Sequence, residues 1–582
     1  MGAKRIFRGG RHAQEVQRSR RKVKSQPPCM KQKRIATKAK RVSQLLKCVT
    51  EGRFAIPKLQ REFVWDGPKA AKLFDSILAH MPIGVVMVWE TPRSQRLYLR
   101  QKYHVLPPFN ARNGKVWFLI DGQQRVSVLH QVREGSELEN ARGKVIDFKR
   151  VVFSLEDEEN GQQILYRKPR QGIYESLTDI LHPHWRSRLS HLGLRDIAHV
   201  RKCREHILRY PIHLMFVQAK IGGIRETFLR INTQGMKIGT ADAIFTQAED
   251  LDLRDIQHEV RGHVDAGFGM IPEMPILFAM AAVRGAKEAR GQALKRTIQE
   301  LERSAKLDPR LRKSLAKDWN RLCVCFGKAV DYLRQNFSVI TRDFLYSDYM
   351  ISELALFFFW NGQGTTAKQK EQIRKWFWAT AVGSRYSGSK FFVCLPADLK
   401  FFKRLANKRG VRFTYSPQVD KIDVRKSLYA SRTGIATAFY CMLLRRRPVS
   451  IMDDGLNEIP IDRYATRANR KDRHHIFPRG LLAQWEVPAS LYNSICNICL
   501  LTAEENQTIS ARRPRSYLAE ARDNAGYFKR KMARHLIPVS DDSGVWSKNV
   551  KSGFKLVLRE RNDWICRELE NEAGLRLFRR DT

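Results

Sequence analysis

Asp472-Arg-His-His-Ile-Phe-Pro478, taken together with Asn497-Ile-Cys-Leu-Leu-Thr-Ala-Glu-Glu-Asn506, is the part of this 582-residue chain from which the rest is best understood. Two adjacent histidines, an apolar pair and a proline, followed later by an extended apolar run leading to Asn506, fit a β-turn-β-helix scaffold around one divalent metal. Neighbouring side chains on an extended segment point to opposite sides, so His474 can face a metal while His475 faces a water molecule. Hydrolysis of a phosphodiester asks for those two things, a base for water and a metal to bear charge on the phosphate. Asn506 offers a hard carboxamide oxygen of the kind magnesium accepts, and an imidazole such as His474 shifts the preference toward manganese. Asn497 is expected to hydrogen-bond the backbone of the first strand and fix the His475 ring. An isolated His-His pair is ordinarily a polar pair on a basic surface; the Ile-Phe-Pro continuation and the two spaced asparagines set this one apart.

These residues resemble the HNH, or ββα-metal, nucleases in the His-Asn-Asn version found in the C-terminal domain of GmrSD-type restriction proteins. The resemblance implies that His475 is the general base, Asn497 the positioning residue, and His474 and Asn506 the ligands of Mg2+ or Mn2+. His474 stands where many HNH enzymes carry an aspartate ligand. Arg470, Lys471 and Arg473 precede or join the histidines and Arg512 and Arg513 follow Asn506, where a DNA strand would run.

Composition agrees with a polyanionic partner. Lys and Arg number 106 against 59 Asp and Glu, a net charge of +47, which would be strongly self-repelling with nothing to neutralise it. The hydrophobic fraction of 43% is that of globular cores and excludes a wholly disordered chain. The ten cysteines are scattered and mostly set in apolar surroundings, as expected for reduced core thiols; Cys496 and Cys499 have no second pair at zinc-finger distance. The longest apolar run, Leu354 to Trp360, is too short to cross a bilayer, so a soluble, cytoplasmic protein without a membrane partner is expected.

Residues 1–41 hold fifteen Lys and Arg and a single acidic residue, Glu15, and are expected to form a disordered tail that meets phosphates. A first folded domain is expected over 42–250. It contains an amphipathic helix from Val42, a second from about Pro68 to Ala79, a buried strand from Ile83 to Trp89, and a strand Val116–Ile120 running into Asp121-Gly-Gln-Gln-Arg125 and a helix. Strand, tight turn and helix aim backbone N–H groups at an anion, and Arg125 adds a bidentate cation; the alternative is a capped helix start with a solvated arginine. The loop, with Gln60-Arg61, Pro82-Ile-Gly84 and Phe228-Leu-Arg-Ile-Asn232, resembles the N-terminal domain of the GmrSD family, which has a ParB and sulfiredoxin-like α/β fold. That resemblance implies a nucleoside triphosphate pocket lined by Gln60, Arg61, Asp121, Gly122, Gln123, Gln124 and Arg125, with Arg230 and Asn232 as a second wall.

Residues 251–450 are expected to form a helical connector whose aromatics, Trp376-Phe-Trp378 among them, fall on helical spacing and so belong to the core. Residues 451–582 are expected to form the HNH domain. The expected architecture is thus α+β and multidomain. The function implied is a nucleotide-regulated, modification-dependent DNA endonuclease of antiviral defence, acting on foreign DNA such as DNA carrying sugar-decorated hydroxymethylcytosine. Two other readings stay open: a nucleotide-regulated DNA-binding or partitioning factor with an inert HNH-like domain, and the effector of a larger defence system. A homodimer or a defence-system partner is compatible with each.

Overall fold

The computed structural model describes residues 34–579 except 58–59, 61, 95–104, 111–113, 141–143, 157–161, 220–222, 225–226, 229–243, 245–258, 261, 265, 287, 289–290, 363, 408–409, 461–472 and 525. Its architecture is mixed α+β, with a five-stranded N-terminal sheet and a largely helical C-terminal region. It divides into two compact units, one built from residues up to Pro57, Gly67–Ser136 and Asp147–Phe228, the other from Lys58–Asp66, Glu137–Ile146 and Leu229 onward.

The sheet of the first unit uses β1 (Arg34–Arg41), β2 (Phe54–Ala55), β3 (Val86–Pro92), β4 (Lys115–Asp121) and a late strand, Pro211–Gln218. Two short strands, β5 (Glu137–Glu139) and β6 (Val145–Asp147), form a separate ribbon. Another small sheet comprises β7 (Val151–Ser154), β8 (Ile164–Tyr166) and β9 (Tyr174–Ser176), which makes Pro211–Gln218 β10. The main sheet runs in the order β1-β10-β3-β4-β2, with β10 parallel to β3, β2 parallel to β4, and the other two pairings antiparallel.

The helices follow the apolar spacing. Val42–Thr50 buries Val42, Leu45, Leu46 and Val49, and Gly67–Leu78 buries Gly67, Ala70, Ala71 and Phe74, the i, i+3, i+4, i+7 pattern of a single buried face.

Residues 34–41 depart from the expected disordered tail. They form an edge strand in register with β10 from Arg34↔Gln218 to Arg41↔Pro211, although most of their side chains are exposed. Composition could not reveal this, because an edge strand is held by main-chain pairing and needs no apolar face of its own. The rest of the expected tail, 1–33, lies outside the described residues.

In the second unit, the helical stretch and the residues after 450 share one hydrophobic core, from Ile244 to Phe578. Trp376, Phe377 and Trp378 are buried in it, and Phe377 stacks on Phe337 at 3.9 Å between ring centroids, so these aromatics are core as expected. The long helix Val550–Ala573 buries Phe554, Val557, Leu558, Ile565 and Leu569. Among the described residues no helix is long and apolar enough to cross a membrane.

Candidate active site

The histidines lie on β11 (Arg473–His475), which pairs antiparallel with β12 (Ile498–Leu500) in the register His474↔Cys499 and His475↔Ile498. The chain then enters the helix Ala503–Ile509, which carries Asn506; between the two strands lie two short helices, Arg479–Gln484 and Ala489–Tyr492, where a single turn was expected. That helix begins with a capping box. Thr502 accepts from the Glu505 amide, and Glu505 accepts from Thr502 N. The same Glu505 carboxylate also accepts from Ser450 Oγ (2.8 Å), Ile451 N (2.6 Å) and Met452 N (3.1 Å), so it fastens the helix bearing Asn506 to the segment that enters the site.

Strand alternation sends the two histidines apart. His474 is buried, with Nδ1 facing Asn506 Oδ1 at 2.5 Å. His474 Nε2 is buried without a hydrogen-bond partner among the described residues. Burial is the main cause that drives the His474 pKa down to about 4, so at neutral pH its ring is uncharged and holds a lone pair for a cation. His475 is half-buried and turns the other way, with Nε2 3.1 Å from Asn493 Oδ1 and the Tyr429 ring edge-on at 5.2 Å. Its pKa is also lowered, chiefly by burial.

Asn497 is fully buried at the turn into β12 and works on the main chain. Its Oδ1 accepts from Phe477 N (2.9 Å), and its Nδ2 donates to Phe477 O (3.1 Å) and Tyr492 O (3.0 Å). It therefore fixes the turn that follows β11. The expected contact with the His475 ring is made by Asn493 instead, because both ends of the Asn497 amide are already held inside by that turn.

Asn493, Glu505 and Arg561 are the contributors that sequence reasoning missed. Thr502-x-x-Glu505 was a legible capping signal, but nothing local marks the other two. Arg561, on the helix Val550–Ala573, is completely buried and donates to five main-chain oxygens: Leu536 (2.7 Å), Ile495 (3.2 Å), Cys496 (2.8 Å), Ile498 (2.6 Å) and His535 (2.8 Å). The guanidinium thereby holds β12 and the turn before it. Cys496 and Cys499 are buried thiols whose pKa values are pushed up to about 11 and about 12 by burial, which leaves them protonated and inert.

The proposed DNA-contacting cations are not alike. Arg470 and Lys471 lie outside the described residues. Arg473 turns inward, donating to Tyr429 O at 3.0 Å and stacking 4.3 Å above the Tyr440 ring. Arg512 pairs with Glu520, whereas Arg513 is exposed.

The chemistry of the donors fits a divalent ion. Nδ1–H of His474 donates to the Asn506 carboxamide oxygen, and both groups are neutral, so an ion taken up there with the ring proton moved to Nε2 would keep its full positive charge for a phosphate. Among the described residues no cluster of three or more His, Cys, Asp or Glu forms a closed cage; His474 and Asn506 are the donors that would hold an ion here.

In the first unit, β4 runs into Gly122 and the helix Gln123–Glu134. Gly122 has φ +84°, and a Cβ there would lie 3.0 Å from Val86 Cγ2, so the turn requires glycine. Arg125 does not point out as a free bidentate cation. Nη1 donates to Ile83 O (2.6 Å), and Nη2 donates to Val85 O (3.0 Å) and Asp121 Oδ2 (3.2 Å). A Cβ on Gly84 would come within 2.7 Å of Arg125 Nη1, so glycine makes room for the guanidinium. Gln123 and Gln124 are buried. Gln60 is also buried but clusters with the second unit, and Arg61, Arg230 and Asn232 lie outside the described residues. Arg125→Ala should therefore destabilise the first unit by about 2–3 kcal/mol, because two main-chain carbonyls lose a charged donor. A urea titration of the variant with an unchanged midpoint would contradict that clamp.

Residues 42–248 match the family profile described as the N-terminal domain of the GmrSD restriction endonucleases. The match covers less than half of the chain and makes this segment similar to that domain, which suggests a GmrSD-type protein. The chain is also similar, at 22% identity over 543 residues, to the uncharacterized protein MJ0686 of Methanocaldococcus jannaschii; the alignment spans 83% of this chain and 86% of that protein.

Proposed function

We propose that this chain is a metal-dependent HNH-type DNA endonuclease, regulated by a nucleoside triphosphate and directed at modified foreign DNA. The observation that carries the nuclease reading is the division of two adjacent histidines across one short strand. His474 meets Asn506 on one side, and His475 faces Asn493 on the other. His474 and Asn506 would hold Mg2+ or Mn2+, which when bound supplies positive charge to the scissile phosphate and the leaving oxygen. His475, neutral at physiological pH, takes a proton from the attacking water. Asn497 keeps the turn after β11 in place by its bonds to the Phe477 main chain.

The nucleotide reading rests on the strand-turn-helix at Asp121–Arg125 and on the family match over 42–248. Since Arg125 serves the turn itself, an anionic ligand would meet the amides of the first helical turn. The modification dependence and the defence role are carried by family likeness alone.

Incubating the purified full chain with matched modified and unmodified plasmid, with Mn2+ or Mg2+, and with and without nucleotide, tests the whole reading. Metal-dependent nicking is expected. Absence of nicking under every condition, together with no binding of Mn2+ by calorimetry, would sink it. Asn506→Ala should lower cleavage roughly 10- to 100-fold, with partial recovery at raised Mn2+, since one neutral ligand is lost and the fold is kept. An activity loss that no Mn2+ concentration relieves would place the role of Asn506 in structure.

A further inference from the structure

The segment before Asn497 carries a side chain that takes no part in the His474–Asn506 pair or in the turn held by Asn497. Asn493 follows the short helix Ala489–Tyr492, and its Oδ1 is 3.1 Å from His475 Nε2. Its own main chain is anchored from outside the two-stranded element. Tyr429 N donates to Asn493 O at 2.9 Å, and Leu428 bridges Ser494 in antiparallel fashion. Tyr429 in turn is held by Arg473, which donates to its carbonyl, and by the Tyr440 hydroxyl, which donates to the same oxygen at 2.9 Å. The Tyr429 ring meets His475 edge-on. Residues 428–440 and Asn493 thus form a wall with His475 against it.

We infer that Asn493 is the positioning residue for His475, accepting a hydrogen bond from Nε2–H and so leaving Nδ1 as the nitrogen that receives the proton of water. A carboxamide oxygen can only accept, so the proton on the neutral ring is held on Nε2. The water O–H bond then breaks as the Nδ1–H bond forms, the hydroxide oxygen attacks phosphorus, and the phosphorus bond to the leaving oxygen breaks. Asn493 touches neither water nor phosphate; it selects the tautomer and the ring plane. This inference rests on the nuclease reading above.

The test compares wild type, His475→Ala, Asn493→Ala and Asn493→Asp in steady-state nicking. Asn493→Ala should lower kcat about 10- to 100-fold with KM within twofold of wild type, since orientation is lost and DNA contacts are not. Asn493→Asp should recover kcat to within a few-fold of wild type, because a carboxylate also accepts from Nε2–H. In the metal-free protein, Asn493→Ala should speed the modification of His475 by diethyl pyrocarbonate severalfold, read by peptide mass spectrometry, because Nε2 is released. Wild-type kcat in Asn493→Ala, an Asp variant as slow as the Ala variant, or unchanged His475 reactivity would each overturn the assignment. If His475→Ala cuts as fast as wild type, it is the nuclease reading that fails; if His475→Ala is inactive and Asn493→Ala is fully active, only the role of Asn493 fails.

Discussion

His475→Ala is expected to abolish cleavage, by roughly 10²- to 10⁴-fold or more, while leaving DNA affinity almost unchanged. The reason lies in how little else His475 does. Its ring is half-buried, its pKa is lowered mainly by burial, and so at neutral pH it adds no charge to the surface that attracts phosphates. Its polar contact runs to Asn493 at the edge of the site and holds no main-chain group of β11 or β12. The pairing of those strands, the Asn497 clamp on Phe477 and the Arg561 cluster all survive the substitution. Nicking of supercoiled plasmid measures the first half of the expectation, and fluorescence anisotropy with labelled duplex measures the second. A parallel loss of binding and cutting would assign His475 to structure and remove it from the chemistry.

The second large effect is expected at Arg561, far from the histidines in sequence. Arg561→Met should destabilise the second unit by about 3 kcal/mol or more, because the guanidinium is the donor for five buried carbonyls and methionine offers none. Three of those carbonyls, of Ile495, Cys496 and Ile498, belong to β12 or the turn into it, so the damage should concentrate where Asn497 and the strand opposite the histidines lie. Arg561→Lys should recover only part of the loss, since one ammonium with three donors cannot span five acceptors fixed in different directions. Native-state hydrogen exchange is the sharpest readout: amides over 495–500 should lose protection in the Met variant before those of the first unit do. Full protection there, with an unchanged urea midpoint, would mean that solvent or a rearranged side chain satisfies those carbonyls.

How much of this could be foreseen differs from element to element. The helices Val42–Thr50 and Gly67–Leu78 were legible because their apolar residues recur at helical spacing, and burial of one face suffices to specify them. The strand into Gly122 was legible for the same kind of reason, a short apolar run ended by a residue that tolerates positive φ. The pairing of β11 with β12 brings the histidines near the helix that holds Asn506, but the two short helices between the strands carry no signal that separates them from a longer turn. The edge strand over 34–41 was not legible, since its side chains carry the composition of a tail while its main chain carries the structure.

What the sequence by itself determined is therefore the set of chemical groups and the faces that must be buried: two histidines on one strand, two asparagines beyond them, and amphipathic helices around a basic chain. What only the tertiary structure decided is where each polar group finds its partner. Arg125 and Arg473 look like free cations in the sequence, yet each, like Arg561, is directed to main-chain carbonyls within its own unit, from Ile83 and Val85 for Arg125 to Ile498 and Leu536 for Arg561. The physical reason is that apolar periodicity is a local property, repeated every few residues and readable in a window. A buried donor, by contrast, is satisfied by whichever acceptor the fold brings within about 3 Å, and that acceptor has no fixed distance along the chain.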